Sequence, residues 1–193
     1  MNNLNSSNSF TSIFLSHLSF VPTSDQSTLI ALLSEFISNK NEREIMVIKG
    51  YAGTGKTNMV AALSKTLPNF KWKSVLLAPT GRAAKVLSNY SKKPAQTIHK
   101  KIFIKIPTHD GGVAFSLAEN KHTNTIFVVD EASMIGLDNP TSDSVYHSLL
   151  ESLLEYVFSG ANCKIILVGD TAQLPPIGSN ESPALNIDYL KAS

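Results

Sequence analysis

The sequence has almost no cysteine and no long apolar run. Cys163 is the single cysteine among 193 residues, so no intramolecular disulfide can hold the fold together, and a lone thiol fits a reducing cytoplasm. No apolar run approaches the ~18 residues of a membrane-spanning helix. The first ten residues, MNNLNSSNSF, lack the basic start and the cleavage site of a secretory signal. These absences exclude a disulfide-stapled scaffold and a membrane span, and indicate one ordinary globular domain.

Acidic residues are missing from a long stretch of the chain. The sequence has 17 Lys and Arg and 15 Asp and Glu, for a net charge of +2, yet residues 45–109 contain no Asp or Glu at all. Those residues hold most of the lysines, so one part of the chain is strongly basic and the remainder is acidic. A basic segment without acidic residues suits binding to a polyanion such as nucleotide phosphates or nucleic acid. A basic surface that only faces solvent would have the same composition.

Apolar runs of strand length alternate with amphipathic segments along the chain. Two N-terminal helices are expected, the second with a Ser24-Asp25 cap; their apolar positions are Phe10, Ile13, Phe14 and Leu18, then Leu29, Leu32, Leu33 and Phe36. Four buried strands follow, EIMVIKG, KSVLLAPT, TNTIFVVDEAS and CKIILVGD, separated by the helices KTNMVAALSKTL, GRAAKVLSNYS and SDSVYHSLLESLLEYVFSG. We expect Gly160 to cap the last helix. The pattern predicts an α/β fold with a parallel sheet covered by helices on both faces.

One segment interrupts this alternation. Residues 101–124 contain two short β-like runs around an Asp110-Gly111-Gly112 turn, which predicts an inserted β-hairpin.

The segment GYAGTGKT has the full G-x4-G-K-T pattern of a phosphate-binding loop and stands between a strand and a helix. Its members are Gly50, Tyr51, Ala52, Gly53, Thr54, Gly55, Lys56 and Thr57. The glycines allow backbone N–H groups to surround a β-phosphate, Lys56 supplies a charge for the β and γ oxygens, and Thr57 can ligate Mg²⁺. The sequence therefore predicts a nucleoside triphosphate site.

Asp130 and Glu131 follow the third apolar strand, at the end where parallel sheets present ligand-binding groups. The Asp130 carboxylate suits Mg²⁺, and Glu131 suits the general base that polarises an attacking water. Adjacent acids are also common as helix caps, so their pairing with the phosphate loop is what favours catalysis. Two consecutive acids favour a hydrolase over most kinases and GTPases.

Five motifs occur in a recognisable order: GYAGTGKT, APTGRAAK, QTIHK, VVDEASM and VGDTAQLPPIG. Together they resemble the first motor domain of superfamily 1 helicases of the 5′-to-3′ type, the RecD and Dda group. The resemblance implies a RecA-like P-loop NTPase fold, in which the strand bearing the last motif lies between the phosphate-loop strand and the Asp-Glu strand. It also implies ATP and Mg²⁺ as ligands.

The resemblance gives the last motif a role. A central strand would bring Gln173 beside the γ-phosphate, where its amide can donate to an oxygen and accept from water. Asp170 can hold neighbouring donors, and Pro175 and Pro176 fix the path of the following chain, so a change at the γ-phosphate would move it. We interpret this motif as a sensor that joins the nucleotide state to DNA and to a partner domain.

DNA contacts are implied by the resemblance for Pro79, Thr80, Arg82, Lys85, Thr97 and His99. Thr80 and the following helix N-terminus suit a backbone phosphate. A lone histidine such as His99 is often structural, and the inserted hairpin is either a strand-separating pin or a plain surface insertion.

We expect residues 1–40 to form the N-terminal helices and residues 41–193 the ATP-binding domain. In PTSDQ, Gln26 resembles the glutamine that reads adenine through N6 and N7. Such helicases need a second RecA-like domain with an arginine finger, worth roughly 10³–10⁵ in rate. We expect that domain to be absent here and supplied by a longer protein, so that this chain binds Mg-ATP weakly, hydrolyses it slowly and does not unwind duplex alone. Another P-loop ATPase or kinase, or a non-catalytic nucleotide-dependent binding module, remains an alternative.

Overall fold

Five parallel strands form the central sheet of this computed structural model, which describes residues 2–41, 43–107, 111–136, 148–170, 172–173 and 182–192. The strands are β1 Ile45–Lys49, β2 Lys73–Ala78, β3 Ala95–Thr97, β4 Phe103–Pro107, β5 Val113–Leu117, β6 Thr123–Val129 and β7 Ala161–Gly169. The central sheet has the order β1-β7-β6-β2-β3, with every pairing parallel. The expected position of the last motif is confirmed, because β7 lies between β1 and β6.

Helices cover both faces of this sheet. They are α1 Asn2–Ser16, α2 Ser24–Ser38, α3 Lys56–Thr66, α4 Gly81–Ser91, α5 Ile98–Ile102, α6 Leu149–Phe158 and α7 Ile187–Ala192, with 3-10 turns at Leu67–Phe70, Ala132–Met134 and Pro183–Leu185. Neighbouring strand residues face opposite ways, so Ile126 and Val128 join one core with α1 to α4, while Phe127 and Val129 join the other with α5 to α7. Among the described residues, no helix is long and apolar enough to cross a membrane.

The start of α2 differs from the expected Ser24-Asp25 cap. Thr23 is the N-cap, and it forms a reciprocal capping box with the Gln26 side chain. The buried face of the helix is formed by Ile30, Leu33, Phe36 and Ile37, whereas Leu32, which the apolar pattern placed on that face, is exposed. A Thr-x-x-Gln box satisfies two backbone donors, which a cap at Ser24 would leave open.

The helix α6 also departs from expectation at both ends. It begins at Leu149, behind a capping box between Ser148 and Glu151, whereas the pattern predicted a start seven residues earlier; residues 137–147 lie outside the described part of the chain. Its C-cap is Ser159, and Gly160 does not adopt the left-handed conformation expected of a capping glycine. A Cβ on Gly160 would lie 2.5 Å from Asn120 Nδ2, so close packing explains this glycine.

The hairpin lies outside the main sheet. Strands β4 and β5 pair antiparallel from Phe103 opposite Leu117 to Pro107 opposite Val113, as the sequence predicts. The base of the hairpin is fixed by the Ala118 N–H, which donates to the Ile102 carbonyl at 2.7 Å. Residues 108–110, including Asp110 of the expected turn, lie outside the described chain, and Gly111 has a φ of +81°.

A buried lysine joins the end of α2 to the sheet. Lys164 on β7 has 1% of its side chain exposed, and its Nζ donates to Phe36 O at 2.6 Å, Asn39 O at 2.7 Å and Glu44 Oε2 at 2.7 Å. The ammonium also lies 5.6 Å from the Trp72 ring centroid. Buried charges persist when they are paired and hydrogen-bonded, and Lys164 meets both conditions.

Candidate nucleotide-binding site

The candidate site lies where three neighbouring strands end. The phosphate loop leaves β1, Asp130 follows β6 and Asp170 follows β7. The Gly50 N–H donates to Gly169 O at 3.2 Å, so the loop begins directly beside the end of β7. The parallel order β1-β7-β6 therefore brings the three motifs to one edge of the sheet.

Glycine conformations shape the phosphate loop. Gly53 and Gly55 have φ values of +78° and +83°, in the left-handed region that favours glycine. The Thr54 hydroxyl donates to Tyr51 O at 2.8 Å and tightens the turn. Helix α3 starts directly after Gly55, so its first N–H groups face the loop, as a phosphate cradle requires.

The Lys56 side chain folds back over the loop. Its Nζ donates to Gly50 O at 2.5 Å and to Tyr51 O at 2.8 Å, and lies 4.0 Å from the buried carboxylate of Asp170. These contacts hold the ammonium inside the loop, where it can exchange carbonyl partners for phosphate oxygens. Asp170 also accepts from the Ala172 N–H at 2.8 Å, so it orders the chain that leaves β7.

Thr57 and Asp130 meet across the site. The Thr57 hydroxyl donates to Asp130 Oδ2 at 3.0 Å. Burial raises the pKa of the Asp130 carboxyl, and hydrogen bonds from Thr57 and from the Glu131 N–H oppose that rise. Two hard oxygen atoms at this distance fit Mg²⁺, which is bound by one or two protein oxygens together with water and substrate phosphates. No group of three or more His, Cys, Asp or Glu suited to a metal occurs among the described residues.

Glu131 stands beside Asp130 in a left-handed conformation, with a φ of +58°. Its Oε2 accepts from Gln173 Nε2 at 3.2 Å, and Gln173 Oε1 accepts from the Ser133 hydroxyl at 3.0 Å. The structure thus brings Glu131 and Gln173 together. Thr171 and residues 174–178 of this motif, which include Pro175 and Pro176, lie outside the described residues.

Gln26 also reaches this site. Its Nε2 donates to Thr54 O at 2.9 Å, while its Oε1 accepts from the Thr23 N–H at 3.0 Å. Both ends of the amide are therefore bonded within the protein, one of them to the phosphate loop. To contact a purine, the Gln26 amide would have to give up its hydrogen bonds to Thr54 O and the Thr23 N–H. The role of Gln26 in reading adenine stays a prediction.

Residues 31–185 match the model of a protein family described as an AAA domain. The chain belongs to this family. This match and the two helicase relatives described next together identify the chain as a RecA-like motor domain of the RecD/Dda type of superfamily 1.

Three relatives are similar in sequence to this motor domain, and two of them are named as ATP-dependent DNA helicases. It is 30% identical to the ATP-dependent DNA helicase dda of Enterobacteria phage T4 over 75% of the chain and 31% of that protein. It is 31% identical to the ATP-dependent RecD2 DNA helicase of Deinococcus radiodurans over 69% of the chain and 16% of that protein. An uncharacterised protein of Acanthamoeba polyphaga mimivirus is 33% identical over 83% of the chain and 34% of that protein. The chain thus spans about a third or less of the relatives it matches.

The residues predicted to contact DNA lie beside the nucleotide site of the motor domain, at the ends of β2 and β3. Ala78 pairs with Thr97, so the loop from Pro79 and the turn after Thr97 start side by side. Thr80 and Thr97 use their hydroxyls as N-caps, accepting from Ala83 N and Lys100 N, both at 3.2 Å. The three remaining predicted contacts are exposed: Arg82, Lys85 and His99.

Sequence reasoning missed one polar residue of this motor domain. Ser133 is buried, with 3% of the residue exposed, and its hydroxyl donates to Gln173 Oε1. Its position two residues after Glu131, within VVDEASM, is the signal that could have identified it.

Proposed function

We propose that this chain is the ATP-hydrolysing half of a DNA helicase, which couples Mg-ATP hydrolysis to movement along single-stranded DNA. One observation carries the proposal. The ammonium of Lys56, the oxygens of Thr57 and Asp130, and the linked side chains of Glu131 and Gln173 converge at the ends of three adjacent strands. Phosphoryl transfer needs this combination of cation, metal ligands and water-orienting groups.

Each group has a chemical task in this proposal. Lys56 and the first N–H groups of α3 bind the β and γ oxygens of ATP. Thr57 and Asp130 would hold Mg²⁺, which supplies positive charge to those oxygens. Glu131 accepts a proton from the attacking water. The Gln173 amide donates to a γ-phosphate oxygen and accepts from that water. Asp170, 4.0 Å from Lys56, keeps the lysine head in the site.

Two partners complete the proposed motor. Single-stranded DNA would lie across the ends of β2 and β3, where Arg82 and Lys85 are exposed within the acid-free residues 45–109. A second RecA-like domain would supply the arginine finger, because the chain has only two arginines, Arg43 and Arg82. Arg43 precedes β1, at the opposite end of that strand from the loop, so it does not serve this purpose. The 5′-to-3′ direction is part of the same proposal.

The test is Mg-ATP hydrolysis by the purified chain with and without an oligo(dT) strand, compared with Glu131→Gln. We expect slow hydrolysis that falls at least about 10²-fold in Glu131→Gln, the range of a lost general base. Glu155→Gln, an exposed acid on α6, is the matched control and should keep the wild-type rate. Equal rates for wild type and Glu131→Gln would contradict the proposal. Robust unwinding by this chain alone would contradict the need for a second domain.

A further inference from the structure

A chain of two hydrogen bonds links a buried serine to the proposed base. The Ser133 hydroxyl donates to Gln173 Oε1 at 3.0 Å, and Gln173 Nε2 donates to Glu131 Oε2 at 3.2 Å. We propose that Ser133 is a positioning residue for hydrolysis, which orients the Gln173 amide so that the amide in turn holds Glu131. This inference rests on the proposed function, because it assigns Glu131 the role of base.

Ser133 itself is held firmly. It lies in the 3-10 turn Ala132–Met134, and the buried Ser182 hydroxyl donates to Ala132 O at 3.1 Å and Ile135 O at 2.9 Å. The end of β7 packs against this turn: a Cβ on Gly169 would lie 2.9 Å from the Ser133 nitrogen. Ser133 is therefore held in place where the site adjoins the hydrophobic core. Gln173, by contrast, is exposed to solvent.

The two ends of the Gln173 amide are chemically different, because one is a hydrogen-bond donor and the other an acceptor. This difference decides which end faces Glu131 and which faces Ser133. An ionised carboxylate only accepts hydrogen bonds, so Glu131 requires the NH₂ end of the amide. The oxygen end then faces Ser133, whose hydroxyl can donate to it. Without that hydroxyl, a single bond to Glu131 would hold an exposed side chain with several freely rotating torsions.

Glu131 gains most from such an anchor. Its backbone has a φ of +58°, which is uncommon outside glycine and asparagine, so the surrounding structure must hold the Glu131 backbone in this conformation. Its Oε2 takes part in the bond from Gln173. Disorder in Gln173 would release the carboxylate from its position near the phosphate loop. The proton-transfer step depends on that position, whereas ATP affinity depends mainly on the loop and the metal ligands.

The first test is NMR of the Gln173 side-chain amide, assigned by comparison with Gln173→Ala. In wild type, the NH₂ resonances should be dispersed and show an ordered side chain; in Ser133→Ala they should move to averaged positions. Ser91→Ala is the matched control, since it removes a buried hydroxyl that donates to Leu87 O at the end of α4 and contacts neither Ser133 nor Gln173. An ordered amide in Ser133→Ala, or a mobile one in wild type, would overturn the proposal. Ser133→Cys, which keeps the volume but donates weakly, replaces Ser133→Ala if that variant does not fold.

The second test is kinetic. Ser133→Ala should lower kcat for Mg-ATP hydrolysis about 5- to 10-fold, the size expected for one lost hydrogen bond, with KM changed less than about 2-fold. In a Gln173→Ala background the same change should have no further effect, because Ser133 acts through Gln173. An equal loss in both backgrounds would overturn the proposal. The NMR test needs no turnover, so its result separates failure of this inference from failure of the proposed ATPase.

Discussion

Replacing Lys164 by methionine tests how α2 is held to the sheet. The change keeps an unbranched apolar stem but removes the ammonium that bonds Phe36 O, Asn39 O and Glu44. Two carbonyls at the end of α2 then lack their partner, and the Glu44 carboxylate loses its counter-charge. Breaking a buried ion pair on one side costs about 3–5 kcal/mol. In a domain of this size each kcal/mol lowers Tm by roughly 2–4 °C, so we expect a fall of roughly 6–20 °C.

Thermal and urea unfolding of wild type, Lys164→Met and Glu44→Gln measure this effect. Glu44→Gln should lose less stability than Lys164→Met, because the glutamine oxygen can still accept from the ammonium. Lys121→Met is the control: its bridge to Glu119 joins two side chains that are 79% and 77% exposed, and such pairs contribute little. A Tm for Lys164→Met within about 2 °C of wild type would refute the reasoning, since a shift that small corresponds to about 1 kcal/mol or less.

Three further predictions follow from other parts of the structure. Gly169→Ala should lower the free energy of unfolding by about 1–3 kcal/mol in urea titrations, because its Cβ would lie 2.9 Å from Ser133 N and from Leu185 carbons; unchanged stability would contradict this packing. Asp130→Asn should raise Tm at pH 7, because burial raises the folded-state pKa of this acid, so its charged form destabilises the fold above the ordinary Asp value of 3.8. That advantage should shrink as the pH falls toward 3.8, and a Tm difference independent of pH would contradict it. Gln26→Ala should raise KM for ATP more than for GTP; equal changes in steady-state assays would remove the adenine role.

The main sheet was predictable because its strands are unusually apolar. The runs that became β6 and β7 are almost wholly buried, and those of β1 and β2 are partly buried, so each is a nearly continuous hydrophobic segment in the sequence. Their order required the family resemblance, since periodicity gives no information on which strands are neighbours. The short edge strand β3 was missed, because Ala95–Thr97 contains no apolar run.

Local signals were misread where a long-range contact decides the conformation. The Thr23 cap could have been found from the Thr-x-x-Gln spacing. By contrast, Gly160 resembles a helix-capping glycine, and only its closeness to Asn120 reveals a packing role. The same holds for the link from Ser133 to Gln173, which spans 40 residues of sequence.

The central claim is that the loop from Gly50 to Thr57 binds the phosphates of ATP. The most direct measurement is calorimetric titration of this chain with a slowly hydrolysed ATP analogue and Mg²⁺, beside Lys56→Ala. Lys65→Ala, at the far end of α3, controls for the loss of a lysine from the same helix. We predict saturable binding to wild type and to Lys65→Ala that is lost in Lys56→Ala. Equal binding by all three proteins, or binding by none, would contradict a preformed phosphate site in this chain.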